Sequence, residues 1–399
     1  MPSYIDVKKQ LEKFWFDYLK ENQKNFSTLQ LAGASPPSVF VGQYGYPKVN
    51  LGPMVPSLHG DTKSLDTPEM WIGKNLQDIL NYRLSLVRGI KSNKVNDLNP
   101  RFILSLQELA MSSKSAECEM NFESKPRIGS DYFSLSDISL KMESPPFGAK
   151  GELRSFKLSS LNSDKRIENC FTDGDLKSTQ AIIELYRKGI EVSQIQKILS
   201  LGMLGIKKNR KLVPTRWSIS AVDDILSSNL TKEIRNYGTI DSFEVFKYNH
   251  FSNRYSILLI PHDVWSFEMI EAWYDNENKK FVLESDFEDA NGLNHYPKIA
   301  GAYFAARLAV TEYLSRKKRI AAVVIFREIH PTYIVPLGVW QIREGIRESL
   351  RRDVPEKCKD FKSAIVCSCN GLQVPLIDWV KKSTFYRNYG KQVLISQFF

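Results

Sequence analysis

Residues 301–326 constrain the fold more than any other stretch of this chain. Tyr303, Phe304, Ala305, Leu308, Ala309 and Tyr313 recur at helical spacing and predict a long helix over about Gly301–Lys317. Soon after it, Ile320–Phe326 is apolar without alternation, the pattern of a strand buried inside a sheet. A helix delivered into a buried strand requires layers that share one core. Elsewhere the two periods mix irregularly. An amphipathic helix is expected within 4–21 from Leu11, Phe14, Trp15 and Tyr18, and helical stretches over Met70–Gly89 and Phe102–Met111. Further helices are expected over Asp175–Lys188, stopped by Gly189, over Gln194–Leu201, capped by Ser193, and over 339–350. Strands and turns dominate 238–285. The segment V-G-Q-Y-G-Y-P-K-V-N-L-G-P (41–53) reads as strand, turn and strand, with Gly42, Gly45 and Gly52 serving positive φ or close backbone approach.

A doubly wound parallel sheet would show regular alternation, which is missing. The expected class is therefore α+β, a mixed or antiparallel sheet with flanking helices. No linker interrupts residues 1–380, so they are expected to form one compact body, with any subdivision near 112–150. Residues 381–399 are expected to form a flexible basic tail. Lys381, Lys382, Arg387 and Lys391, with Tyr386 and Tyr389, follow the last acidic residue, Asp378, and read as an extended arm.

Charge narrows the partners. The net charge of +10 favours a polyanion. No apolar run is long enough to cross a bilayer and the N-terminus lacks a signal-peptide core, so a soluble cytoplasmic protein with no membrane partner is expected. The five cysteines read as reduced thiols. Cys367-Ser-Cys369 lacks the spacing of a zinc knuckle and the five histidines are scattered, so no structural zinc is expected. The chain has no G-x-x-x-x-G-K-[ST] loop, no G-x-S-x-G elbow and no kinase signature, which disfavours an ATP-driven motor and a serine hydrolase.

Chemistry concentrates in one basic stretch. Lys207, Lys208, Arg210, Lys211 and Arg216 offer donors for phosphate oxygens, and Trp217 offers a stacking face for a base. Ser218 or Ser220 would cap the helix that follows. Asp223 and Asp224 place adjacent carboxylates within reach of a hard cation, Mg²⁺ or Mn²⁺. Each element also has a plain reading: surface arginine, core tryptophan, helix cap, solvated carboxylate. Asp173 and Asp175 in T-D-G-D, and Glu328 in F-R-E-I-H-P, could join them in a metal-dependent nuclease centre. His330 is a candidate base or a packing residue. The adjacent Arg327/Glu328 and Arg343/Glu344 read as structural ion pairs. The helices over Thr179–Leu201 have the spacing of a helix-turn-helix, though an ordinary helical hairpin fits better.

The chain ends Q-V-L-I-S-Q-F-F. Gln392, Ile395 and Phe398 fall on one face of a 3₁₀ turn, with Phe399 beside them. This pattern looks like the peptide with which DNA repair and replication proteins dock on the sliding clamp (PCNA). The competing reading is a final strand, since Val393, Ile395, Gln397 and Phe399 alternate.

Several long blocks resemble the archaeal Nre DNA repair proteins. They are V-G-Q-Y-G-Y-P-K-V-N-L-G-P (41–53), P-P-F-G-A-K-G-E-L (145–153), R-K-L-V-P-T-R-W-S-I-S-A-V-D-D (210–224), G-A-Y-F-A-A-R-L-A-V-T-E-Y-L (301–314) and P-L-G-V-W-Q-I-R-E (336–344). The terminal motif matches the NreA branch of that family. The resemblance implies an archaeal DNA repair protein with the sliding clamp as partner. Three activities stay open: a clamp-recruited nuclease, a non-catalytic DNA-binding adaptor, or a nucleotide-processing protein using Arg216 and Trp217. Some relatives begin with a cysteine-rich zinc-binding element; no metal-finger contribution is expected here.

Overall fold

The structure, a computed structural model, describes Lys13 and residues 28–127, 148–159, 161–275, 277–333 and 335–389. The clamp-like motif at Gln392, Ile395, Phe398 and Phe399 and nearly all of the N-terminal amphipathic segment lie outside these residues. The chain divides into two compact units. One holds the described residues up to Leu226 with Val335–Leu337, and the other holds 227–333 and 338–389. The fold class is α+β.

The first unit is built on a six-stranded sheet ordered β1-β5-β6-β4-β3-β2. Its strands are β1 (Gln30–Ser35), β2 (Val39–Val41), β3 (Lys48–Val55), β4 (Val87–Lys94), β5 (Ala116–Phe122) and β6 (Lys150–Leu158). Only β4 and β6 run parallel, so the sheet is mixed. Its helices are α1 (Leu76–Ser85), α2 (Arg101–Met111), α3 (Lys165–Thr172), α4 (Ser178–Arg187) and α5 (Val192–Ser200). Helix α6 (Thr215–Ile234) contains the division between the units.

Where Met70–Gly89 reads as one helix, the structure has α1 followed by β4. Asn75 and Asp78 form a reciprocal capping box at the start of α1. The segment after it pairs as a strand with β3, where Gly52 permits close approach: a Cβ on Gly52 would lie 1.8 Å from the Gly89 carbonyl oxygen. The two helices α4 and α5 form the ordinary hairpin, with Ala181, Ile182, Leu185, Ile195 and Ile198 buried. Ser193 is not the cap of α5. The helix starts one residue earlier, and Glu69 accepts from the Ser193 backbone N–H (2.9 Å) and hydroxyl (2.8 Å).

The second unit has a six-stranded sheet ordered β11-β10-β13-β9-β8-β14. These strands are β8 (Phe243–His250), β9 (Asn253–Ile260), β10 (Ser266–Asp275), β11 (Lys280–Glu288), β13 (Ala322–Ile329) and β14 (Glu356–Cys358); β7 (Gly238–Thr239) and β12 (Arg319–Ile320) pair separately. Helix α7 is Gly301–Lys317, as its spacing predicts. It shares a core with α8 (Trp340–Arg351) and with Phe246, Ile257, Phe267, Met269, Val323 and Ile325 of the sheet. Val245, Leu258, Ile270, Val324 and Phe326 point the other way, towards α9 (Phe361–Cys369) and α10 (Leu376–Lys382). All eight residues of β13 are buried, which is why Ala322–Phe326 is apolar without alternation.

Strand geometry corrects one expected ion pair. Successive side chains on a strand point to opposite faces. Arg327 therefore pairs with Glu271 (2.5 Å) and donates to Asn253 Oδ1 (2.9 Å), while Glu328 serves the other face. Arg343 and Glu344 do pair, at 3.3 Å.

The expected basic arm begins too early. Lys381 and Lys382 close α10, and 384–389 is helical again. Glu268, fully buried on β10, accepts from the Ser383 hydroxyl (2.6 Å) and from the backbone N–H groups of Thr384 (2.6 Å) and Phe385 (3.1 Å). Phe385 and Tyr389 stack on each other and against Phe361. Tyrosine and phenylalanine at helical spacing bury this segment, whatever its charge. Among the described residues no helix is long and apolar enough to cross a membrane.

Candidate nucleic-acid interface

Each carboxylate proposed for metal chemistry is placed by its own local contacts. Among the described residues no three His, Cys, Asp or Glu side chains are grouped to hold a metal ion. Asp173 and Asp175 lie in an exposed turn, where Asp173 Oδ1 accepts from the backbone of Asp175 and Leu176 (both 3.0 Å). Asp223 is fully buried on α6 and accepts from Gln196 Nε2 at 3.0 Å. Asp224 beside it is half-buried. Glu328, fully buried in the second unit, accepts from the backbone N–H groups of Gln373 and Val374 (both 2.7 Å), which fixes the loop between α9 and α10. Its other oxygen is 2.9 Å from His330 Nε2, but the approach is off the line of a hydrogen bond, so the two are close neighbours rather than a bonded pair.

Arg210 has a structural task. Its guanidinium donates to the carbonyls of Gly205 (2.7 Å), Phe171 (2.7 Å) and Asp173 (2.8 Å), and it lies 5.4 Å over the Phe171 ring. Three carbonyls use three of its five N–H donors, and burial lowers the pKa of the group. It ties the T-D-G-D turn to the basic stretch. Neither Ser218 nor Ser220 caps α6. The helix begins at Thr215, and Ser218 is buried in its first turn with its hydroxyl on the Thr215 carbonyl (2.9 Å).

The other basic residues face solvent. Lys207 and Lys208 sit on a short 3₁₀ turn, Lys211 follows, and Arg216 and Trp217 stand at the N-terminus of α6. What the sequence did not reveal is the neighbour of Trp217. Its indole packs against Tyr46 with ring centroids 5.2 Å apart and planes inclined by 48°. Both rings stay open to solvent, Trp217 at 47% and Tyr46 at 42%, and Tyr44 at the same turn is 83% exposed.

The β2–β3 turn is held firmly against the helix. The Val41 N–H donates to Thr215 Oγ1 (2.9 Å), Gly42 donates to Asn50 (2.7 Å), and Lys48 closes the turn on Gly45 (2.9 Å), whose φ of 83° favours glycine. Val95 then donates to Pro47 (2.9 Å) and accepts from Leu212 (2.8 Å). Three distant segments thus form one surface carrying Tyr46, Lys48, Lys94, Lys211, Arg216 and Trp217. Lys48 and Lys94 are direct cross-strand partners. Like charges so placed repel, and neither makes an ion pair with a described residue. Their sequence signal was the Y-G-Y-P-K turn, but nothing in it named residue 217 as its neighbour.

Comparison with known proteins accords with this chain's sequence blocks. The model of the archaeal Nre N-terminal region matches residues 11–277, and that of the archaeal Nre C-terminal region matches 288–398. DNA repair protein NreB of Archaeoglobus fulgidus is 36% identical over 92% of each chain. DNA repair protein NreA of the same organism is 34% identical, covering 90% of this chain and 88% of its own. NreA of Haloferax volcanii is 33% identical, covering 92% and 90%. No solved structure matches.

Proposed function

The chain belongs to the archaeal Nre family, and on that footing we propose that it is a DNA repair protein that binds DNA through the surface around Lys94, Lys211 and Trp217. Recruitment to the sliding clamp by Gln392, Ile395, Phe398 and Phe399 is part of the same reading. The observation that carries DNA binding is a group of exposed lysines, including the opposed Lys48 and Lys94, set around an open indole with no carboxylate paired to them among the described residues. An anion bridging two facing ammonium groups relieves their repulsion, and displacing counterions from a DNA backbone favours binding further. The adaptor role is better supported than hydrolysis, because the candidate acidic residues are committed to turns, helix packing and a loop anchor.

Fluorescence anisotropy with labelled DNA across a salt series tests the reading. The double variant Lys94→Gln/Lys211→Gln is expected to bind on the order of tenfold more weakly at low salt and to flatten the log–log salt slope by about two. Unchanged affinity and slope would remove this surface from the proposal. Incubation with Mg²⁺ or Mn²⁺ is expected to leave flapped and branched DNA intact, and cleavage lost in Asp223→Asn would restore the nuclease.

A further inference from the structure

The aromatic pair says which form of DNA this surface takes. Resting on the DNA-binding reading above, we infer that Trp217 and Tyr46 form a stacking platform for unpaired bases, so that the ligand is single-stranded DNA or the single-stranded part of a flap or gap. Four observations lead there.

The first is exposure. Trp217 and Tyr46 are in contact with each other, yet each residue stays nearly half exposed to water. Apolar surface of that size, fixed in place, gains free energy when a flat partner covers it. The second is charge. Lys48, Lys94 and Lys211 are exposed on the segments that backbone hydrogen bonds tie to the turn of Tyr46, which disfavours a cationic ligand, otherwise a common occupant of aromatic faces. A polyanion that carries its own flat apolar faces fits both demands at once. Nucleic acid is that ligand.

The third is accessibility of the base faces. In a duplex each base is covered above and below by its neighbours, so a protein reaches only edges and backbone. A ring standing on the protein surface can stack only on a base that has lost a neighbour. Duplex binding would use the lysines and leave the two rings idle. The fourth is preorganisation. The turn carrying Tyr46 is tied by the hydrogen bonds from Val41, Gly42, Lys48 and Val95, so little ordering cost falls on binding.

Equilibrium binding of the full-length protein, Trp217→Ala and Trp217→Phe to three labelled DNAs tests the inference: a single strand, a blunt duplex of the same sequence, and that duplex with a single-stranded flap. The native protein is expected to prefer the single strand and the flap over the blunt duplex at equal salt. Trp217→Ala should weaken binding to the first two by about 5- to 100-fold and change duplex binding less than twofold, and Trp217→Phe should recover part of the loss. Base stacking should also quench tryptophan fluorescence, with the Trp217-dependent part missing in Trp217→Phe. Equal losses on all three DNAs would overturn the stacking role and leave DNA binding by this surface standing. No loss on any DNA, with affinity still sensitive to Lys94→Gln/Lys211→Gln, would overturn it in the same way. Competition by a proline-rich peptide but not by single-stranded DNA would overturn it by naming another ligand. Absence of DNA binding by the native protein would take down the underlying reading as well.

Discussion

His250, at the end of β8, shows how burial alone resets a side chain. Its ring stacks at 5.6 Å from Tyr248 and lies 3.8 Å from Phe251. Desolvation pushes its pKa from 6.5 down to about 4, with Glu348 opposing the shift. The unfolded chain therefore takes up a proton first as pH falls. Stability from the neutral ring is complete above about pH 6.5 and is lost as pH drops towards 4, by up to about 1.4 kcal/mol per pH unit. Thermal melts of the native protein and His250→Gln from pH 4 to 8 measure it: the native Tm should fall more steeply below pH 6.5, and parallel curves would refute the assignment. Side chains also divide by legibility. Trp217 was readable as a stacking residue because a tryptophan amid arginines and lysines is unusual in a core. Arg210 was not readable as a structural staple, since its three carbonyl partners belong to residues 171–205, whose approach to it depends on the fold.

Elements with a strong period were legible and those shaped by close packing were not. Helix α7 and the apolar strand after it follow from spacing and burial. The Met70–Gly89 stretch is helix and then strand, and the strand lies so close to β3 that only glycine fits at residue 52, a contact no periodicity encodes. The segment 381–389 was read from its charge as an arm, yet its aromatics are packed and Glu268 caps its second helical turn. Glu268→Ala should leave the Thr384 and Phe385 N–H groups without their buried acceptor and cost on the order of 3 kcal/mol. Faster hydrogen exchange over 383–389 and faster tryptic cleavage after Lys381, Lys382 and Arg387 would report it. Unaltered protection there would show that aromatic packing alone holds the segment.

At the scale of the whole molecule, residues 1–380 read as one body, and the contacts describe two units with a division inside α6. The two family models instead meet between residues 277 and 288, within or just before β11. A sequence-level boundary therefore need not coincide with a packing boundary. The proposed clamp motif belongs to the same scale, because it concerns where the molecule is sent. Phe398→Ala/Phe399→Ala is expected to weaken binding to the sliding clamp by at least about 100-fold, since buried aromatic anchors carry such interfaces, and to leave DNA affinity unchanged. Surface plasmon resonance on immobilised clamp checks it, and undiminished clamp binding would return Lys391–Phe399 to the strand reading.

By itself the sequence determined the α+β class, the helix and strand around Gly301–Ile329, the positive charge and membership of the archaeal Nre family. These depend on local periodicity, summed charge and long matching blocks, which the linear order preserves. Only the tertiary structure decided that Trp217 meets Tyr46, that Lys48 faces Lys94, that Arg210 donates to three carbonyls and that Asp223 is buried against Gln196. Those outcomes depend on which distant segments touch, and the meeting of residue 46 with 217 and of 48 with 94 is settled by packing and backbone hydrogen bonding rather than by any pattern along the chain.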